Sequence, residues 1–233
     1  MTSDERKAAL DAIAAEVRDC TNCRLAQTRT RAVPGEGSPD TEVVFVGEGP
    51  GYHEDQQGRP FVGRAGELLG KLLGSIEWRR QDVFITNIVK CRPPDNRDPE
   101  PDEVAACAPY LERQLEALNP ALVVTLGRHS MARFMPGARI SQVHGTTARV
   151  APATGARDAT VLAMYHPAAA LRTPAIERES YEDIGRAPRA LLDARARRGA
   201  ALPAADAAAE TITEPAAADA FAEPDDLTIF QQA

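Results

Sequence analysis

Apolar residues follow two rhythms along this chain. Residues 4–18 (DERKAALDAIAAEVR) place Leu10, Ile13 and Val17 at helical spacing, which predicts an amphipathic helix ending at Cys20. Four short runs are instead continuously apolar and rich in β-branched residues: EVVFVG (42–47), DVFITN (82–87), ALVVTLG (121–127) and TVLAMYHP (160–167). Such runs suit strands of a parallel sheet covered on both faces. Helical patterns separate them at 64–76, 101–117 and 128–135, and a last helix is expected from about 177 to 197. This alternation predicts an α/β protein, a three-layer α/β/α sandwich around a central, mainly parallel four-stranded sheet. Sites in such sheets lie beyond the carboxyl ends of the strands. The chemistry is therefore expected in residues 47–63 and in the segments that follow Asn87, Gly127 and His166.

Past residue 198 the pattern stops. Residues 199–226 are mostly Ala, Pro, Glu and Asp, with too few large apolar groups to offset the entropy of ordering. One folded domain over 1–198 and a disordered acidic tail over 199–233 are predicted. The tail also changes the reading of the net charge of -7. Residues 202–233 hold seven of the 34 acids and no Lys or Arg, which leaves 27 acids against all 27 basic residues. A formally neutral body with only three lysines leaves room for a groove of arginines, whose planar forks suit phosphates. No apolar stretch approaches the roughly 18 residues of a membrane span. The start, MTSDERKAALDA, is charged where a signal peptide would be basic and then apolar. A soluble intracellular protein without membrane contact is expected.

The loop GEGPGYHEDQQGRPFVG (47–63) follows the first strand and is rich in glycine. A dinucleotide fingerprint needs G-x-G-x-x-G opening a helix. Here Tyr52 stands at the third glycine position, Pro50 has no N–H to donate, and Glu48 and Glu54 would repel a pyrophosphate. The glycines instead let backbone approach a flat ligand, or form a tight connection with solvated acids. Four cysteines bracket the loop: Cys20 and Cys23 as C-x2-C before it, Cys91 and Cys107 after it. Disulfides are rare inside cells, and four thiolates hold either zinc or an iron-sulfur cluster. Spacing alone leaves both open.

Together, C-x2-C, GEGPGYHEDQQGRPFVGRAGELL, ITNIVKCRPPDNRDPEPDE, Cys107 and MYHPAAALR resemble the family 4 (thermostable type, iron-sulfur) uracil-DNA glycosylases of bacteria and archaea, in order over roughly residues 15–185. The resemblance implies an α/β/α fold, a 4Fe-4S cluster held by Cys20, Cys23, Cys91 and Cys107, and excision of uracil from single- and double-stranded DNA in base excision repair. It implies that Phe61 stacks on uracil from an exposed position, that Asn87 reads its edge, and that Glu54 fills the space beside C5. His166 would hydrogen-bond the charge developing on uracil O2. Glu48 would stabilise the sugar cation and orient water, and the backbone of Gly49 would touch the base where other families carry an Asp. Arg92, Arg97 and Arg172 would grip DNA, with Leu171 as the wedge entering the duplex. The usual HPSxLLR has lost its Ser to Ala168 and a Leu to Ala170. His53, His129, His144 and Trp78 match no motif and are expected at the surface or in packing. The rival reading is a non-catalytic iron-sulfur nucleic-acid-binding module, which has no need of Glu48, Phe61, Asn87 and His166 together.

The chain ends DDLTIFQQA, and residues 226–230 resemble a bacterial sliding-clamp-binding peptide with Asp226 at the Gln position. A chance apolar terminus is the alternative. A monomeric protein of the bacterial cytoplasm, working at the nucleoid, is the expectation.

Overall fold

The computed structural model describes residues 1–150 and 154–201. Helix α1 (Ser3–Asp19) opens on a capping box: the Thr2 hydroxyl accepts from Glu5 N, and the Glu5 carboxylate accepts from Thr2 N. Then come β1 (Glu36–Gly37), β2 (Val43–Gly47), α2 (Tyr52–Gln57), α3 (Arg64–Ser75), β3 (Phe84–Asn87) and α4 (Pro101–Leu118). The second half holds β4 (Leu122–Leu126), α5 (Arg128–Phe134), α6 (Ile140–Val143), β5 (Thr147–Arg149), β6 (Thr160–Met164), α7 (Pro167–Ala170), α8 (Pro174–Ile184) and α9 (Ala187–Ala201). No helix among the described residues is long and apolar enough to cross a membrane.

The strands form one sheet in the order β1-β3-β2-β4-β6-β5. Its four inner strands are parallel and are the four read from the sequence. The expected four-stranded sheet is corrected to six among the described residues, because β1 and β5 add antiparallel edges. These edges are two and three residues long and largely exposed, so they carry no apolar run. Side chains alternate across a strand. Val44 and Val46 therefore pack with Leu10, Val17, Leu111 and Leu115 of α1 and α4, while Val43 and Phe45 pack with Leu69 and Leu72 of α3 and Leu191 of α9. The result is the expected three layers.

Two other expectations change. The single helix expected over 177–197 is two helices, interrupted at Gly185 and Arg186, where Arg186 donates to the Gly145 carbonyl instead of continuing a smooth rod (2.7 Å). Helix α9 also runs to Ala201, past the domain boundary placed at 198. The acidic tail from residue 202 and the peptide at 226–230 lie outside the described residues.

Helix α3 begins against the loop that carries Phe61. A Cβ on Gly66 would lie 1.8 Å from the Phe61 carbonyl oxygen, so glycine is required for this approach. At Gly70, one turn on, such a Cβ would meet nothing within 4 Å. Two substitutions in one helix should then act in opposite directions. Gly66→Ala is expected to lower stability in urea unfolding by about 2 kcal/mol through overpacking. Gly70→Ala should raise it by roughly 0.5–1 kcal/mol through helix propensity. Equal effects would refute the close approach.

Candidate active site

From β2 the chain crosses to β3 on one side, and from β4 it proceeds to β6 on the other. A crevice opens where the winding reverses. Beyond the ends of β2 and β4 lies a cleft of about 640 Å³ whose lining includes Glu48, Gly49, Glu54, Phe61, Asn87 and His166. The residues expected to touch the base thus share one cavity.

Asn87 ends β3 in register with Gly47 at the end of β2. Its side chain is buried, and Oδ1 has no hydrogen-bond partner among the described residues. A Cβ on Gly47 would come within 2.4 Å of that oxygen and 2.7 Å of the Phe61 ring. Behind Asn87, the buried Lys90 Nζ donates to the Asn87 carbonyl (2.8 Å), Thr86 Oγ1 (2.5 Å) and Gln114 Oε1 (2.7 Å). Burial pushes this ammonium down to about 7. Gln114 in turn donates to the Pro34 carbonyl, so the end of β3 is held from behind by satisfied polar groups.

Phe61 has φ of 50°, a left-handed conformation that costs a bulky residue energy. Neighbours enforce it. Arg80 donates to the carbonyls of Pro60 and Phe61, and Gly66 closes in from α3. The ring is only 6% exposed, which corrects the expected exposed position, and it stacks on His166 at 5.7 Å and 29° while lining the cleft. The Glu54 carboxylate accepts from Gly51 N (3.1 Å), Val62 N (2.9 Å) and Gly63 N (3.0 Å). It braces the loop at both ends, a role its place in the sequence does not suggest.

His166 stands just past β6 and caps α7. Its Nδ1 accepts from Ala168 N at 3.1 Å, which places the ring proton on Nε2. Burial pushes its pKa down to about 4; Glu54 opposes that shift and Arg172 adds to it. At neutral pH the ring is therefore an uncharged N–H donor. Gly127 makes room for it: with φ of 94°, a Cβ there would lie 3.0 Å from the His166 Cβ.

Glu48 is partly buried, and desolvation lifts its pKa above the ordinary carboxylate value. His129 lies beside it, with Nε2 3.8 Å from Glu48 Oε2 and 3.3 Å from Asp98 Oδ1, and the same nitrogen accepts from Arg128 Nε at 3.0 Å. No sequence motif marks His129. Its place at the site follows from tertiary structure, as the second residue of α5 beyond β4. His144 and His53 do pack on neighbours, against Tyr165 and Tyr52.

The four cysteines line one small cavity beside the cleft, with Arg29, Lys90 and Tyr110. Donors point at sulfur, among them Arg29 at Cys91 (3.0 Å), Lys90 N at Cys107 (3.3 Å) and Asn22 N at Cys20 (3.5 Å). Burial pushes the Cys107 thiol up to about 11 and raises Cys91 as well. Among the described residues, the one trio of Cys, His, Asp or Glu whose donor atoms all fall within 4.8 Å is Glu48, Asp98 and His129, so the sulfurs are spread more widely.

Comparison with known proteins agrees with this geometry. The sequence profile of the uracil DNA glycosylase superfamily matches residues 34–185. The chain belongs to that superfamily. It is 47% identical over 190 residues to a type-4 uracil-DNA glycosylase of Saccharolobus solfataricus, covering 78% of this chain and 86% of that one. Type-4 uracil-DNA glycosylases of Archaeoglobus fulgidus and Thermotoga maritima are 49% and 45% identical, covering 74% and 78% of this chain and 88% and 94% of theirs.

Around this superfamily cleft, the arginines differ in what they have free. Arg92 lies 5.4 Å from the centre of the Tyr52 ring and donates to Asn96. Arg97 lines the cleft, yet its guanidinium is committed to the buried Glu103 through two bonds of 2.8 and 2.6 Å. Leu171 (37% exposed) and Arg172 stand exposed on the turn between α7 and α8. The His166 tautomer is directly measurable: ¹⁵N NMR should find Nδ1 unprotonated at neutral pH, with titration near 4. A resonance titrating near 6.5 would contradict the buried neutral donor.

Proposed function

We propose that the protein is a monofunctional uracil-DNA glycosylase, which flips uracil out of DNA, hydrolyses its N-glycosidic bond and leaves an abasic site. The observation that carries this reading is the buried, unpartnered Asn87 Oδ1 in the same cleft as the neutral Nε2–H of His166. An unsatisfied buried acceptor costs about 1–3 kcal/mol, and the N3–H of uracil would satisfy it. The Asn87 amide then donates to O4. Cytosine offers the reversed pattern, an acceptor at N3 and a donor at C4, and would leave Asn87 unpaired.

A base inside a duplex cannot be reached, so the nucleotide must leave the stack. Phe61 takes one face of the ring, backbone of Gly49 approaches it, and the stem of Glu54 occupies the side where thymine carries its methyl. When the bond from C1′ to N1 breaks, its electron pair goes to uracil and charge collects on O2. The His166 N–H is already aimed from a low-dielectric wall, so little reorganisation is needed as that charge develops. Glu48 faces the complementary charge on the sugar and takes the proton of the attacking water, whose oxygen bonds to C1′. Outside the pocket, Arg92 and Arg172 suit phosphates, Leu171 suits the gap left in the stack, and Arg97 orders the loop before α4 through Glu103. With Ala168 and Ala170 in the wedge segment, single strands should be processed at least as well as duplexes.

We further propose that Cys20, Cys23, Cys91 and Cys107 hold a 4Fe-4S cluster. The wide spread of the sulfurs supports this over zinc, since sulfurs about 2.3 Å from one tetrahedral ion would lie under 4 Å apart. The cluster would supply a cross-link among the end of α1, the loop after β3 and α4. Protein isolated without oxygen should contain iron and acid-labile sulfide in equal amounts, and Cys107→Ser should lose both together. Zinc in their place would reverse the assignment.

Uracil excision from single- and double-stranded oligonucleotides, read as alkali-labile breaks, tests the reaction. Asn87→Ala and His166→Ala should each lower single-turnover excision by roughly 100-fold or more. Cluster-loaded wild-type protein that leaves uracil in place would instead favour the binding-module reading.

A further inference from the structure

Tyr52 is the most exposed tyrosine, phenylalanine or tryptophan among the described residues, at 55%. It opens α2 directly after Pro50 and Gly51, which line the cleft. The ring is open yet not loose. Arg92 carries its guanidinium over it, 5.4 Å from the ring centre, and His53 meets it edge-on at 5.4 Å and 80°. The two loops that bring Tyr52 and Arg92 together, after β2 and β3, are tied through their backbones: Ile88 N donates to the Gly47 carbonyl (3.0 Å) and Val89 N to the Glu48 carbonyl (3.1 Å). A Cβ on Gly49 would lie 2.8 Å from Val89 Cγ2, so the loops also touch. Tyr52 and Arg92 are thus anchored to the same backbone as Glu48 and Asn87. Arg92 Nε donates to Asn96 Oδ1 at 2.8 Å, Asn96 itself lines the cleft, and no carboxylate pairs with this guanidinium among the described residues.

We propose that Tyr52, backed by Arg92, is a stacking platform for a nucleobase next to the flipped uracil. The proposal rests on the glycosylase reading and deepens it by assigning a contact to the neighbouring nucleotide. When one nucleotide leaves the stack, each neighbour loses a stacked face, and in a single strand no partner strand holds that neighbour in place. An open aromatic ring at the mouth of the pocket replaces the lost stack. It does so for any base, because every base has a π-face. The guanidinium steadies the ring through cation–π attraction, and its uncommitted N–H groups suit the phosphate that joins the two nucleotides. A ring already held by Arg92 and His53 has little rotamer freedom to lose when a base settles on it. The platform therefore favours single strands, in which the neighbouring base is free to reach it.

Fluorescence anisotropy with full-length, cluster-loaded protein would measure binding of single-stranded oligonucleotides that carry 2′-fluoro-2′-deoxyuridine, whose fluorine disfavours the sugar cation and keeps the glycosidic bond intact. The base on either side of the uracil is removed in turn by placing an abasic tetrahydrofuran there. On the complete oligonucleotide, Tyr52→Ala should weaken binding about tenfold or more, and Tyr52→Phe, which keeps the ring, by less than about twofold. With the stacked base missing at one of the two flanking positions, wild type should weaken by a similar factor and Tyr52→Ala should cost nothing further. A tyrosine that only packs the loop would lower binding to every oligonucleotide by the same factor. That result, or no loss on any of them, would overturn the proposal. Excision of ordinary deoxyuridine by wild type is scored separately. Coupling without excision would sink the glycosylase reading and keep the platform, and excision without coupling would do the reverse.

Discussion

The cleft depends on two glycines standing where the inner parallel strands end. Gly47 closes β2, and Gly127 follows β4; a Cβ on the first would strike Asn87 and Phe61, and one on the second would press on His166. The inner pair of strands therefore contributes a floor of backbone, while the outer parallel strands β3 and β6 deliver the side chains that face each other across it. Three strand spacings separate β3 from β6, about 14 Å. Two side chains and one flat six-membered ring match that distance. The sheet itself thus sets the width of the pocket, and small residues at the two central positions keep it open.

Such a pocket must also hold its walls still, and here the holding is done by half-buried and buried polar groups that reach backbone. Glu54 gathers three N–H groups, Arg80 two carbonyls, and Lys90 the carbonyl of Asn87. Each joins segments distant in sequence. Their combined effect is to keep Phe61 in a left-handed conformation that its side chain disfavours. Strain at the stacking residue and full satisfaction around it are two sides of one arrangement. Against that background the unpartnered Asn87 oxygen stands apart, because the same loops satisfy nearly every other buried polar atom near it.

How much of this was legible in the sequence follows from where the information lies. The inner strands and helices α1, α3, α4 and α5 are written as apolar periodicity, and their ends were read to within a few residues. Strands β1 and β5 were not, because exposed two- and three-residue edges bury nothing that a pattern could register. Helix α2 buries only Asp55, which accepts from the backbone of Thr30 and Arg31, and no apolar stripe announces it. The break between α8 and α9 reflects Arg186 reaching the Gly145 carbonyl across 41 residues. Asn87, Glu48 and His166 sit at or just beyond strand ends and Phe61 in the loop before α3, and all four could be marked because they fall in motifs that resemble a known family. His129 sits in no motif, and only the pairing of β4 alongside β2 brings α5 and His129 to Glu48; Asp98 lies within the motif that follows β3, but nothing in that motif announces its neighbour.

The placement of Arg97 shows the same limit from the other side. Read along the chain, an arginine in a loop near the site suggests a phosphate contact. In the fold, its guanidinium is consumed by Glu103, whose carboxylate also accepts from Glu100 N at the start of α4. That pair lowers the Glu103 pKa, and most strongly through the Arg97 hydrogen bonds. The charge is spent in fixing the loop that carries Asp98, and so in fixing the partner of His129. An arginine in a loop beside the cleft thus orders the residues around Glu48 by spending its charge on a neighbouring buried carboxylate.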